Sequence, residues 1–226
     1  MPSIFKRGMI FVTFFGSCFA IALLVASLGT KHWVNAGARR TSNPEESEGR
    51  IHFGLFDGKK ELNVAYGWRT YDIDVLHLLR YEPDFLNYWL WLGTLTCICA
   101  GLLFSGLSGV FAAINAATST STCLANSKGL FLWNTLALFV NAGAAGLWVG
   151  QYYMNIQYNV LSTQDLENMW ISGGMAELGY SFWFVVGAAM ANFVDVIILM
   201  IAHSNSDVDP IIPMLEEKTN GAIMLY

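Results

Sequence analysis

Charge is what this chain has least of. Lys, Arg, Asp and Glu make up 13% of its 226 residues against 54% hydrophobic, too little to cover a water-soluble domain of this length. Cysteine is missing where a secreted framework would need it. Cys18, Cys97 and Cys99 fall inside apolar runs, where they are expected to act as small apolar packers, and Cys123 falls between two runs, a candidate palmitoylation site. No disulfide is therefore expected to staple an outer loop. No Asn-x-Ser/Thr sequon occurs, since Asn43 precedes Pro44 and Asn126 precedes Ser127 and Lys128, so no N-glycan is expected. GxSxG, HExxH and phosphate-loop motifs are absent, and His32, His52 and His77 lack the spacing of a metal pair. The expectation is a protein that is not an enzyme, with no metal, cofactor or nucleic-acid partner.

What the chain does have is four long uncharged runs: Gly8 to Thr30, Phe85 to Ser127, Gly129 to Gln164, and Leu178 to His203 broken only by Asp195. A hydrocarbon core of roughly 30 Å needs about 20 helical residues, so each run can span it. The reading is an all-α membrane protein, one four-transmembrane-helix bundle over residues 1–226. Helices are predicted at about 8–29, 87–114, 129–150 and 179–202, with a first outer loop at 31–86 and a tail at 203–226. Lys6 and Arg7 precede the first run as a signal peptide's basic segment would, but the run is longer than the roughly 7–15 residues of a signal core. It is read as a retained span with a cytoplasmic N-terminus. Loop one also carries Lys and Arg, but it is long and its bases alternate with acids, which weakens the positive-inside rule there. Both termini are then cytoplasmic.

Loop one is long enough to fold. Trp33 and Val34 read as extended, Ile51 to Phe56 as a strand, Asp57-Gly58 as a hairpin turn and Leu62 to Trp68 as a return strand. Ile73, Leu76 and Leu79 within Tyr71 to Tyr81 predict a short amphipathic helix ending before Pro83. A small β-sheet and one short helix should lie over the bundle.

Inside the spans, Ala142, Gly146 and Gly150 form a small-residue stripe, predicted to pack within the chain or against a membrane neighbour. Asp195, the one acid deep in a span, shares a face with Asn192, and Asn134 enters the third span at similar depth. The expected role of Asp195 is a hydrogen-bonded pin facing Asn134 or another polar group, because a charge facing lipid costs several kcal/mol, roughly 2.5–3.5 on insertion scales. The tail closes on Met224, Leu225 and Tyr226, a pattern that a PDZ domain can take up as an added strand while holding the carboxylate.

In order along the chain stand Leu28-Gly29-Thr30 with Trp33, Phe53-Gly54-Leu55-Phe56 with Gly58, Gly129 with Trp133 and Asn134, Gly179-Tyr180-Ser181-Phe182-Trp183, and the terminal Met224-Leu225-Tyr226. With these motifs the chain resembles the clarins, four-span proteins whose architecture is like that of claudins. The resemblance implies a plasma-membrane protein without enzymatic activity that organises sensory-cell complexes, mechanosensory or synaptic, with scaffold proteins and actin, in hearing and vision. Two other readings remain: an auxiliary subunit of an ion channel, and a claudin-like junction protein, although the cysteine pair of claudin loop one is missing here. The partners so implied are the bilayer, other membrane proteins including an ion-channel complex, a PDZ scaffold and a second copy of the chain.

Overall fold

A computed structural model describes residues 4–63, 67–82, 84–117 and 127–208. Cys123 and the terminal Met224, Leu225 and Tyr226 lie outside them. Four long helices dominate: α1 (Ile4–Gly29), α3 (Tyr88–Ala117), α4 (Ser127–Gln151) and α6 (Tyr180–Val208), with the short α2 (Val75–Tyr81) between the first two. Within them the segments Arg7–Gly29, Tyr88–Ala117, Lys128–Ile156 and Tyr180–Ser204 are long and apolar enough to cross a bilayer. This is a multi-pass membrane protein. The third span continues past α4 through a π-helical turn, Tyr152–Ile156, so it runs farther than the predicted limit at 150.

The four spans pack as a square in which α1 touches α3, α3 touches α4, α4 touches α6, and α6 returns to α1. Large apolar side chains also point away from it, among them Phe15, Phe19, Leu103, Phe139 and Met190, all more than half exposed. A helix apolar on every side is at rest only when its outer face meets hydrocarbon. Near the sheet end, Trp89, Tyr153 and Trp183 are exposed as well, where rings with one polar atom suit the boundary between lipid and water.

Over that end lies a six-stranded antiparallel sheet, β4-β3-β2-β1-β5, with β6 also on β1. Its strands are β1 (Val34–Arg40), β2 (Gly49–Phe53), β3 (Asp57–Asn63), β4 (Trp68–Asp74), β5 (Trp170–Ile171) and β6 (Ala176–Leu178). Alternation sets its faces: Val34, Ala36 and Ala38 of β1 are buried, as are Ile51 and Phe53 of β2, while Asn35, Gly37, Arg50 and His52 line the other side.

Three local expectations are corrected. Asp57-Gly58 is not the turn, since Gly58 sits opposite Phe53 in the ladder and the reversal is closed one step earlier, by the Gly54 N–H donating to the Asp57 carbonyl at 2.8 Å. Gly58 is there for space: a Cβ would overlap Phe53. The helix predicted from Tyr71 starts only at Val75. Residues Trp68–Asp74 pair along the whole of β3, and Asp74 then caps the helix by accepting the His77 N–H at 3.1 Å. Finally, the sheet does not belong to loop one alone. The segment between α4 and α6 adds β5 and β6 to β1, with Ala36 opposite Ala176 and Arg39 opposite Ile171, and it adds the short α5 (Thr163–Glu167).

Candidate functional site

Where α1 ends, residues from four distant parts of the chain meet. Trp33 is fully buried; its Nε1–H donates to the Ser27 carbonyl at 2.8 Å, and its ring meets Trp148 edge-on at 4.8 Å and Phe182 at 6.5 Å. Its backbone donates to the Phe53 carbonyl at 2.9 Å and accepts from Gly179 N–H at 2.9 Å. Gly179 must be bare, because a Cβ would overlap the His32 carbonyl. Beside them, the Thr30 and Ser181 hydroxyls share a 2.6 Å hydrogen bond. On the far side of the same junction Leu55 is buried, and its carbonyl accepts the Trp91 Nε1–H at 2.8 Å. Phe56, Tyr180 and Trp183 face outward. Trp133 lies elsewhere, its ring stacked beside Phe104 and Phe111 of α3 at 6.0 and 6.3 Å.

A second gathering lies deep in the bundle. Asn134 Nδ2 of α4 donates to Ser108 Oγ of α3 at 2.6 Å and to the Leu130 carbonyl at 3.0 Å. Ser17 Oγ of α1 donates to Ser108 Oγ at 3.1 Å, and the Asp195 side chain of α6 lies against Ser17. One polar chain thus touches all four spans. Asp195 and Asn134 belong to it, joined through two hydroxyls rather than directly. Asp195 fits because Gly16 carries no side chain; a Cβ there would overlap the carboxylate. Asn192, one turn nearer the sheet, is fully buried with neither amide atom partnered.

The small-residue stripe is a correction. Ala142 and Gly146 face outward, and a Cβ at Gly146 or Gly150 would meet nothing within 4 Å. The face of α4 that packs carries Asn134, Ala137, Asn141, Ala144, Trp148 and Gln151, all fully buried. Its close approach is made from the neighbouring helix, where a Cβ on Gly101 of α3 would overlap the Asn141 amide. Small-residue spacing marked a flat face but not which way it turns. Cys18 and Cys99 are likewise exposed rather than packed, and only Cys97 is partly covered.

Comparison with known proteins gives the same direction as the motifs. Human Clarin-3 is 24% identical over 208 residues, covering 88% of this chain and 88% of that protein, and mouse Clarin-3 is 24% identical over 202 residues with the same coverage. The chain is clarin-like. No family model matches it.

In this clarin-like chain most of the sheet-end motif residues are builders of the junction: Trp33, Gly179, Ser181 and Phe182 tie loop one to α6, Leu55 ties it to α3, and Gly54 and Gly58 allow close approaches within it. What their spacing did not show is the groove beside them, about 600 Å³, lined by His32, Asn35, Arg39, Arg50, His52 and Glu177. The His32 and His52 rings stack at 4.5 Å, Tyr180 stands 4.8 Å from His32, and His32 Nδ1 shares a 3.0 Å hydrogen bond with Asn35 Oδ1. Burial above all, then His32, lowers the pKa of His52, with Lys59 and Lys31 acting the same way and Glu61 opposing. Sequence reasoning also missed Ser17 and Ser108. Isolated serines carry no signal until helix packing brings them together. Among the described residues no group of three His, Cys, Asp or Glu side chains is placed to hold a metal ion.

Proposed function

We infer that this clarin-like protein is a non-enzymatic organiser of the plasma membrane, assembling sensory-cell complexes, mechanosensory or synaptic, with scaffold and cytoskeletal partners. The observation that carries the reading is the likeness to Clarin-3 along 88% of both chains, on a four-span body whose motif residues build structure rather than a catalytic centre. The sheet faces outward from the cell and both termini face the cytosol. The outer face of α4, with Ala142, Gly146 and Gly150, is open to a neighbouring span, from another membrane protein or a second copy. The tail presents Met224, Leu225 and Tyr226 to a PDZ scaffold, which adds the segment as a strand and holds its carboxylate.

Crosslinking followed by mass spectrometry, in cells that make the protein natively, tests this. Crosslinks from the tail to a PDZ protein and to actin-associated proteins are expected, and extending the chain by one residue after Tyr226 should remove the first set. A pore subunit recovered at fixed stoichiometry, with no scaffold, would replace the reading with that of an auxiliary channel subunit. Epitope tags at either end should be stained only after permeabilisation.

A further inference from the structure

The polar chain that ties the four spans leaves several buried atoms without partners. Asp195 is 2% exposed and Asn134, Asn192 and Ser105 fully buried, yet Asp195 Oδ2, Asn134 Oδ1, Ser105 Oγ and both amide atoms of Asn192 have no hydrogen-bond partner. Each such atom is costly to leave unpaired in a low-dielectric interior. The Asn134 amide cannot turn to relieve this, because Nδ2 is held by both Ser108 Oγ and the Leu130 carbonyl, which fixes Oδ1 as an acceptor. Ser105 lies three residues before Ser108, and Asn192 three before Asp195, so each stands about 4.5 Å nearer the sheet along its helix. Five of the unpartnered atoms therefore fall within about one helical turn of axis, whereas those of Asn141 and Trp148 lie about two turns or more nearer the sheet. Four of the five are oxygens.

Oxygen donors of this kind, a carboxylate with amide carbonyls and a hydroxyl, suit hard cations. Charge selects the valence. Asp195 is the only acidic side chain within the spanning segments, so one positive charge neutralises the site. A divalent ion would leave a net charge in the hydrocarbon core, where an unpaired charge is strongly penalised. We propose that the layer beneath Asn192 and Ser105 binds a small monovalent cation of sodium's size, with the Asp195 carboxylate as its charged ligand and Asn134, Asn192 and Ser105 supplying neutral oxygens. The ion would hold α3, α4 and α6 together from inside, with α1 joined through Ser17.

The test is a melting curve of the full chain in detergent micelles or nanodiscs, with sodium chloride replacing N-methyl-D-glucamine chloride at constant ionic strength. The melting temperature should rise by several degrees and level off, because a ligand that binds only the folded state stabilises it by mass action. Asp195→Asn, which keeps the shape and removes the charge, should abolish the rise. If that variant does not fold, Ser105→Ala takes its place, and its midpoint should move to about tenfold higher sodium, the equivalent of one lost neutral ligand at about 1.4 kcal/mol. A wild-type melting temperature indifferent to the exchange, a response that survives in Asp195→Asn, or an unmoved midpoint in Ser105→Ala overturns the site.

Discussion

Lys60 of β3 and Asp165 of α5 form a largely buried ion pair, their side chains 15% and 11% exposed, that joins the segment between α1 and α3 to the segment between α4 and α6. Ser162 Oγ donates to the same Asp165 Oδ2 at 2.7 Å, and the Lys60 ammonium stands 5.3 Å over the Tyr71 ring. With no disulfide among the described residues, this pair and the β1 ladder hold the two loops together.

Removing one partner leaves the other charge buried and unpaired. Lys60→Met or Asp165→Leu should therefore each cost about 3 kcal/mol of stability in the sheet region, whereas the double change costs less than either alone. Thermal unfolding of the four proteins in a double-mutant cycle measures this. Strictly additive losses would show that the pair does not couple the loops.

The packing faces of α3 and α4 make opposite predictions for two glycines. Gly101→Ala drives a methyl into the Asn141 amide and should destabilise the bundle by roughly 1–3 kcal/mol. Gly146→Ala meets nothing within 4 Å and should leave monomer stability unchanged. Yield and melting temperature in detergent decide it; a penalty at Gly146 equal to that at Gly101 would put the stripe inside the fold after all.

Trp33→Phe keeps the ring against Trp148 but abandons the Ser27 carbonyl, which loses its indole donor. The expected cost is about 1–3 kcal/mol, read as a lower melting temperature. A neutral result would mean that ring packing alone closes the junction.

Acid should loosen the sheet. Burial and the stacked His32 hold the pKa of His52 below 6.5, so the folded state favours the neutral ring. Its contribution is complete above the unfolded value of 6.5 and is lost as pH falls below that through the lower folded value. Melting temperature should decline over that range in the wild type and decline less in His52→Gln, with Lys31, Lys59, Glu61 and Glu177 left in place. Parallel profiles for the two proteins would assign the acid sensitivity elsewhere.

How much of this was legible beforehand depends on the range of the interaction. Four uncharged runs were enough to place the spans, because a lipid core accepts only helices whose backbone bonds are internal, and Asp195 was read as inward because hydrocarbon penalises charge. Local pattern set Asp57-Gly58 as a turn and Leu62 to Trp68 as the return strand, where the structure has β3 at Asp57–Asn63; the strand from Ile51 was visible from that pattern. The β4 pairing, the contribution of β5 and β6, and the Lys60 link to Asp165 were not, since they join residues up to 144 positions apart, as Val34 opposite Leu178, and no local periodicity encodes a partner. The faces of α4 were undecided for the same reason. Ala142, Gly146 and Gly150 repeat every four residues, and so do small residues elsewhere, but only the position of α3 decides that Asn141 turns inward over Gly101 while Gly146 turns to the lipid. Composition and hydropathy determined that this chain crosses a membrane four times; packing, which brings Ser17, Ser108, Asn134 and Asp195 into one layer, decided what its interior can hold.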